Sequence, residues 1–187
     1  MNADDAVVAV LNALDTARIP FMVVGSLASN VHGIPRSTRA ADVVIEVRPG
    51  ALDALAGALP GSLRLRSQSS FETVTGTLRH LVEVSGEPFV CELFVLGNDP
   101  HDQQRFDRRQ QVQMFGRPVY IATAEDMIVT KLRWARDAGR SKDRDDVRNI
   151  VAVRGRALDW AYVERWACEH GTLALLEEIR QSVPEAM

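Results

Sequence analysis

Residues 21–47 read FMVVGSLASNVHGIPRSTRAADVVIEV, two apolar strand patterns separated by a Gly-Ser turn and a single carboxylate. No other stretch constrains the fold as tightly. The β-type run 19–24 stops at Gly25-Ser26, and the segment from Leu27 reads as a short helix, so strand passes directly into helix. The free backbone N–H groups of such a helix start are suited to phosphate. The second run, 42–47, opens on an acid and alternates, which puts Ala40, Asp42, Val44 and Glu46 on one face of a strand. That face is expected to look toward the Gly-Ser turn.

The rest of the chain supplies elements to surround this unit. Residues 3–17 read as an amphipathic helix, with Val7, Val10, Leu11 and Leu14 at helical spacing and Asp4 and Asp5 in the first turn. Pro49-Gly50 opens a helix over Leu52, Leu55 and Leu59 that Pro60-Gly61 stops. Strand patterns follow at 63–66, 73–75, 78–84 and 89–96, then a polar stretch, 98–109, that reads as a loop or short helix. A hairpin about Gly116 is expected from 112–115 and 118–121. From Thr123 onward the pattern is helical only. Thr123 and Asp126 resemble a capping box, Gly139 ends that helix, and Ser141, Asp159 and Thr172 are expected caps of three more. Trp134, Trp160 and Trp166 fall on apolar helical faces and read as core. The expected architecture is α/β (α+β), a mixed β-sheet flanked by helices. Residues 1–122 form its core and 123–187 a helical region packed on it, in one compact unit.

Composition removes several function classes. A chain of 187 residues, 46% hydrophobic and 25% charged, has ordinary soluble-domain composition. No apolar run approaches the roughly 20 residues of a membrane helix. The N-terminal MNADD is acidic where a signal peptide is basic, so a cytoplasmic location is expected. Cys91 and Cys168 lack metal-ligand spacing and read as buried structural thiols of a reducing compartment. The histidines at 32, 80, 101 and 170 show no paired spacing and read as structural or surface residues. A net charge of −3 argues against indiscriminate nucleic-acid binding, yet residues 131–156 carry nine Lys or Arg against four Asp. That segment is either a solvated helical face or a surface for the phosphates of a nucleotide or RNA, with Arg136, Arg140, Arg144 and Arg148 lining a rim at four-residue steps.

Several motifs occur in order: Gly25-Ser26, then Pro35, Arg36, Thr38 and Asp42, then Cys91-Glu92-Leu93-Phe94. Thr123 to Lys131-Leu132 and Lys142-Asp143 with Asp146 complete the set. Together they resemble the nucleotidyltransferase superfamily, and within it the AbiEii and MenT toxin type. The superfamily signature is an apolar strand, Gly-Gly or Gly-Ser, and then Asp-x-Asp on the next strand. The resemblance covers most of the chain. It implies transfer of a nucleotide from an NTP, with Mg²⁺ (or Mn²⁺), to an RNA such as a tRNA 3′ end or to a protein. It also implies the toxin half of a toxin–antitoxin pair, with an antitoxin as partner.

On this resemblance Asp42 and Glu92 are metal ligands, and Gly25, Ser26, Arg36, Thr38, Lys131 and Lys142 bind the nucleotide. The catalytic set is Asp42, Glu92, Lys131 and Asp146, with Ala40 standing where the first aspartate belongs. The chemistry fits hard oxygen donors around Mg²⁺, and a Glu inside an apolar run such as FVCELF is costly unless paired or metal-bound. Plainer roles exist for some of these residues. The Lys131 stem can snorkel, Asp42 can pair with Arg36 or Arg39, and Lys142, Asp143 and Asp146 can be an acidic helix start. Loss of one Asp-x-Asp carboxylate is expected to cripple metal-dependent transfer. Two histories account for it: substitution to disarm a toxic enzyme, or a naturally degenerate member that still binds nucleotide. The rival functional class is a non-catalytic nucleotide-binding or partner-binding module, antitoxin-like in its role.

Overall fold

The computed structural model describes residues 1–74 and 76–183. Thr75 of the expected strand 73–75, and the last four residues of the expected helical region, lie outside the described residues. Helix α1 (Ala3–Thr16) starts on Asn2, whose Oδ1 accepts from Asp5 N at 2.8 Å, and it buries Val7, Val10, Leu11 and Leu14. Strand β1 (Phe21–Val24) is buried on both faces and passes without a linker into α2 (Gly25–His32). Strand β2 (Ala40–Ile45) runs antiparallel to β1, with Asp42 opposite Val24. Helix α3 (Ala51–Ala58) packs on α1. Strands β3 (Leu63–Leu65), β4 (Ser70–Glu72) and β5 (Thr77–Val84) lead into β6 (Val90–Val95), which is parallel to β2 and sets Glu92 directly beside Asp42.

Helix α4 (Pro100–Asp107) precedes the hairpin β7 (Gln110–Met114) and β8 (Arg117–Ile121). Its two-residue turn, Phe115-Gly116, has φ of +54° and +72°, the left-handed pair that matches the twist of a tight hairpin. Four helices follow: α5 (Ala124–Asp137), α6 (Ser141–Arg154), α7 (Trp160–Glu169) and α8 (Leu173–Ser182). The described strands form one mixed eight-stranded sheet, ordered β3-β5-β6-β2-β1-β8-β7, with β4 paired to β5. A continuous apolar core joins sheet and helices, its largest buried side chains including Leu11, Met22, Ile45, Leu93, Ile128, Leu132, Ile150 and Leu176. No described helix is long and apolar enough to cross a membrane.

Some local expectations shift. Strand β4 lies at 70–72, because its register with β5 (Ser70 opposite Arg79, Glu72 opposite Thr77) places Thr73 and Val74 in the turn. Ser141 does not cap α6; Arg140 occupies the cap position with no side-chain cap bond. Thr172 precedes α8 but turns its hydroxyl to donate to Ala167 O at 3.3 Å. Cys91 is buried, and burial pushes its thiol up to about 12, whereas Cys168 is exposed rather than buried.

The expected capping residue Asp126 does much more than cap. Fully buried, it accepts hydrogen bonds from Tyr162 Oη (2.6 Å) and Thr123 Oγ1 (2.6 Å), with His101 Nε2 at 3.2 Å and Arg108 Nε at 3.3 Å. One carboxylate thus ties α5 to α4 and α7. Burial opposes its charge, but the bonds from His101, Thr123 and Tyr162 outweigh that and hold it at about 2. A carboxyl depressed in the folded state stabilises above its unfolded value and loses that contribution as pH falls toward 2, here about 2 kcal/mol. Urea denaturation at stepped pH is expected to show this loss between about pH 4 and 2 in the native chain. Asp126→Asn should lack that component and be less stable at pH 7 by about 2 kcal/mol or more.

Candidate active site

The site is built where β1 turns into α2. Gly25 has φ +61°, and a Cβ there would lie 1.8 Å from Asp42 Oδ2. Only glycine satisfies both the left-handed turn and the close approach of backbone to carboxylate. Asp42 and Glu92, neighbours across β2 and β6, form the floor. Burial first, and then the charge of Glu92, push Asp42 up to about 6. Arg79 from β5 donates its Nη1–H to Glu92 Oε2 at 3.0 Å. Ala40 sits at the same rim, its carbonyl accepting from Thr38 Oγ1 at 2.9 Å.

Beside the floor lies a buried ionic network. Lys131 Nζ, on α5, is 2.6 Å from Asp143 Oδ1 and 2.8 Å from Asp146 Oδ2, both on α6. Arg36 reaches Asp146 with Nε (2.7 Å) and Nη2 (2.8 Å), and the same Nη2 donates to Ser26 Oγ at 3.0 Å. Burial opposes the Asp146 charge, and the bonds from Arg36 and Lys131 keep its pKa below the usual carboxylate range. Asn30 fixes the Arg36 backbone from both sides, accepting from Arg36 N (3.0 Å) and donating to Arg36 O (2.7 Å). The Asp residues read as an acidic helix start are therefore partners of Lys131.

A cavity of about 430 Å³ opens over this floor. Gly25, Ser26, Arg36, Thr38, Ala40, Asp42, Glu92, Lys131 and Lys142 all line it. Asp146 does not; it lies behind the wall, under Arg36 and Lys131. Sequence reasoning missed Arg39, Arg79, Asp102 and Arg105, which also line the cavity. The alternation of β5 offered a signal for Arg79, since it shares a strand face with Leu81, the residue paired with Glu92. Trp134 read as core, but it is half-buried on the cavity wall with the Arg140 guanidinium 4.7 Å from its ring. The expected arginine rim is corrected: Arg144 pairs with Glu178 at 2.5 Å and Arg148 donates to Ser182 O at 3.2 Å. Both are drawn to α8, so only Arg140 of the four-residue series reaches the cavity.

The floor suits one divalent cation. Asp42 and Glu92 offer oxygens side by side, and a cation between them would relieve the repulsion that raises Asp42. Ala40 offers no donor for a second ion. Among the described residues Arg39 and Lys142 form no ion pair, which leaves two cavity cations without a carboxylate partner.

No protein-family model matches this chain, and no curated protein matches it. Solved structures do. The antibiotic-resistance factor ANT(2'')-Ia superposes in its solution structure with a TM-score of 0.63 at 17% identity, over 96% of this chain and 97% of that one. Its crystal structure with adenylyl-2''-tobramycin gives 0.61 at 17% identity, over 90% and 97%. An antigenic nucleotidyltransferase-like protein from Paracoccidioides brasiliensis gives 0.55 at 20% identity, over 98% and 94%. The chain has the nucleotidyltransferase fold.

The elevated Asp42 carboxyl gives a measurable sign. Its stabilising, protonated form is fully present at low pH and is lost as pH rises through about 6, so the charged floor destabilises the neutral-pH fold by up to about 3 kcal/mol. Asp42→Asn is expected to raise the unfolding free energy by about 1–3 kcal/mol at pH 8 and to change it little at pH 4. Equal effects at both pH values in denaturant titrations would show that Asp42 is not held in this state.

Proposed function

We propose that the cavity binds an NTP and that the site is one for nucleotidyl transfer, limited in this chain by Ala40. The observation that carries this is the pairing of Asp42 with Glu92 directly beneath the Gly25-Ser26 helix start. The N–H groups there, with Arg39 and Lys142, take the triphosphate, while Arg36, tied to Asp146, positions the Ser26 hydroxyl beside it. Asp42 and Glu92 would hold Mg²⁺ or Mn²⁺, which would supply charge neutralisation at the reacting phosphate. In the reaction an acceptor hydroxyl oxygen attacks the α-phosphorus, pyrophosphate leaves, and a floor carboxylate takes the hydroxyl proton.

The acceptor on this reading is RNA, with a tRNA 3′ end as the candidate. Support comes from the cavity cations Arg39 and Lys142, which have no carboxylate partner and suit the phosphates of a polynucleotide. The resemblance to AbiEii- and MenT-type proteins supports a cytoplasmic toxin with an antitoxin partner. A second reading is favoured by one observation. Arg79 already neutralises Glu92 where Ala40 has removed a carboxylate, which suits a module that binds nucleotide without transferring it.

Labelled NTPs, Mg²⁺ and total bacterial RNA distinguish the two readings. Ala40→Asp is expected to transfer label to RNA at least about 100-fold faster than the native chain, the scale on which charge-stabilising groups act. No transfer by that form to RNA or protein would leave the binding module. Calorimetry adds an independent measure: Arg39→Ala and Lys142→Ala should each weaken NTP binding about tenfold or more, as loss of a charge-assisted contact does.

A further inference from the structure

A second cluster of ligating side chains lies at the ends of α4 and α7, outside the floor of the cavity. One ring nitrogen each from His101 and His170, and a carboxylate oxygen of Asp99, lie within 4.8 Å of one another. We propose that these three residues bind a first-row transition metal, and that Zn²⁺ is the ion their donors suit best.

His101 is wholly buried, and its Nε2 faces Asp126 Oδ1 at 3.2 Å. That carboxylate selects the Nε2–H tautomer, which leaves Nδ1 with a lone pair. Nδ1 is buried and has no hydrogen-bond partner, and the same is true of His170 Nδ1. Two orphaned imidazole nitrogens in one place are costly unless something binds them. Asp99 caps α4 through Oδ1 alone, accepting from His101 N (3.0 Å) and Asp102 N (3.2 Å). Oδ2 has no partner among the described residues. Arg133 Nη1 lies 3.6 Å from Asp99 Oδ1, within ion-pair range but too far for a hydrogen bond.

The ring geometry agrees. The His101 and His170 centroids are 5.4 Å apart and the rings are nearly perpendicular, at 78°. Two imidazoles on one tetrahedral zinc, with Zn–N about 2.0–2.1 Å, hold their centroids about 5 Å apart. Trp166 packs against both rings, at 4.9 and 5.4 Å, and closes one side. Asp126 behind His101 is the carboxylate partner that metal-bound histidines regularly have. Two imidazoles and a carboxylate favour zinc over Mg²⁺, which prefers oxygen donors and retained water. Such an ion would join the start of α4 to the end of α7.

The full chain, stripped with EDTA and desalted, is titrated with Co²⁺ and Zn²⁺. One Zn²⁺ per chain is expected, with visible Co²⁺ bands of tetrahedral intensity that Zn²⁺ abolishes. A Tm increase of about 5 °C or more is expected at 100-fold Kd, with no comparable effect of Mg²⁺ at the same concentration. His170→Gln and Asp99→Asn, both at partly exposed positions and the latter keeping a capping oxygen, should each weaken Zn²⁺ about tenfold or more. Circular dichroism checks that both variants are folded. Absence of binding by the native chain, or binding that survives both substitutions, would overturn the assignment. So would binding lost only with Asp42→Asn, which would place the ion on the cavity floor.

Discussion

The buried ammonium of Lys131 is the interaction on which the site depends. At 5% exposure it is supportable only because Asp143 and Asp146 stand within 2.8 Å. Asp146 in turn anchors Arg36, and Arg36 holds the Ser26 hydroxyl. Two helix-containing stretches far apart in sequence are fixed together by this relay: α2 with the loop that follows it, and the α5–α6 pair. Removing one member strands the others; breaking a buried pair typically costs about 3–5 kcal/mol. Loss of activity in a Lys131 variant would therefore not separate phosphate binding from loss of structure. Arg39 and Lys142, which carry no such duty, report on phosphate binding more cleanly.

The floor follows a different balance. Three carboxylates at positions 40, 42 and 92 would repel one another strongly without a cation. Ala40 leaves two, and Arg79 takes one of them, so only Asp42 remains unneutralised. Burial is the larger cause of its raised pKa, and the charge of Glu92 adds to it. An aspartate at position 40 would add repulsion to this floor and make it more dependent on a bound cation for stability. A site that stores repulsion between carboxylates binds metal well because the metal relieves it.

Much of this was legible in the sequence wherever the signal was local. The Gly25-Ser26 break, the alternation that puts Ala40, Asp42 and Val44 on the cavity side, and the Asp159 cap each depend on a few adjacent residues. What escaped depends on pairing across the chain. The β4 register is set by partners on β5, and its exposed residues carry no apolar pattern to mark it. Trp134 looked like core because helical spacing does not say whether a stripe faces packed side chains or a cavity. Arg144 and Arg148 looked like a rim until α8 supplied their partners. His101 and His170 showed no ligand spacing because their proximity is created by the docking of α7 beside α4.

Helix α4 joins these levels. His101 and Asp102 are adjacent, and on a helix adjacent side chains point about 100° apart. One therefore meets Asp126 and Trp166 in the helical layer while the other lines the cavity with Arg105, to which it is paired at 2.8 Å. A single turn thus positions part of the cavity wall from contacts made entirely behind it. Such a connection transmits position, but coupling in the allosteric sense requires an element with two arrangements. The capped start of α4 and its buried bonds to α5 and α7 describe one arrangement. Its role is that of a strut: this part of the cavity wall is only as well placed as the Asp126 hub that holds the helix bearing it.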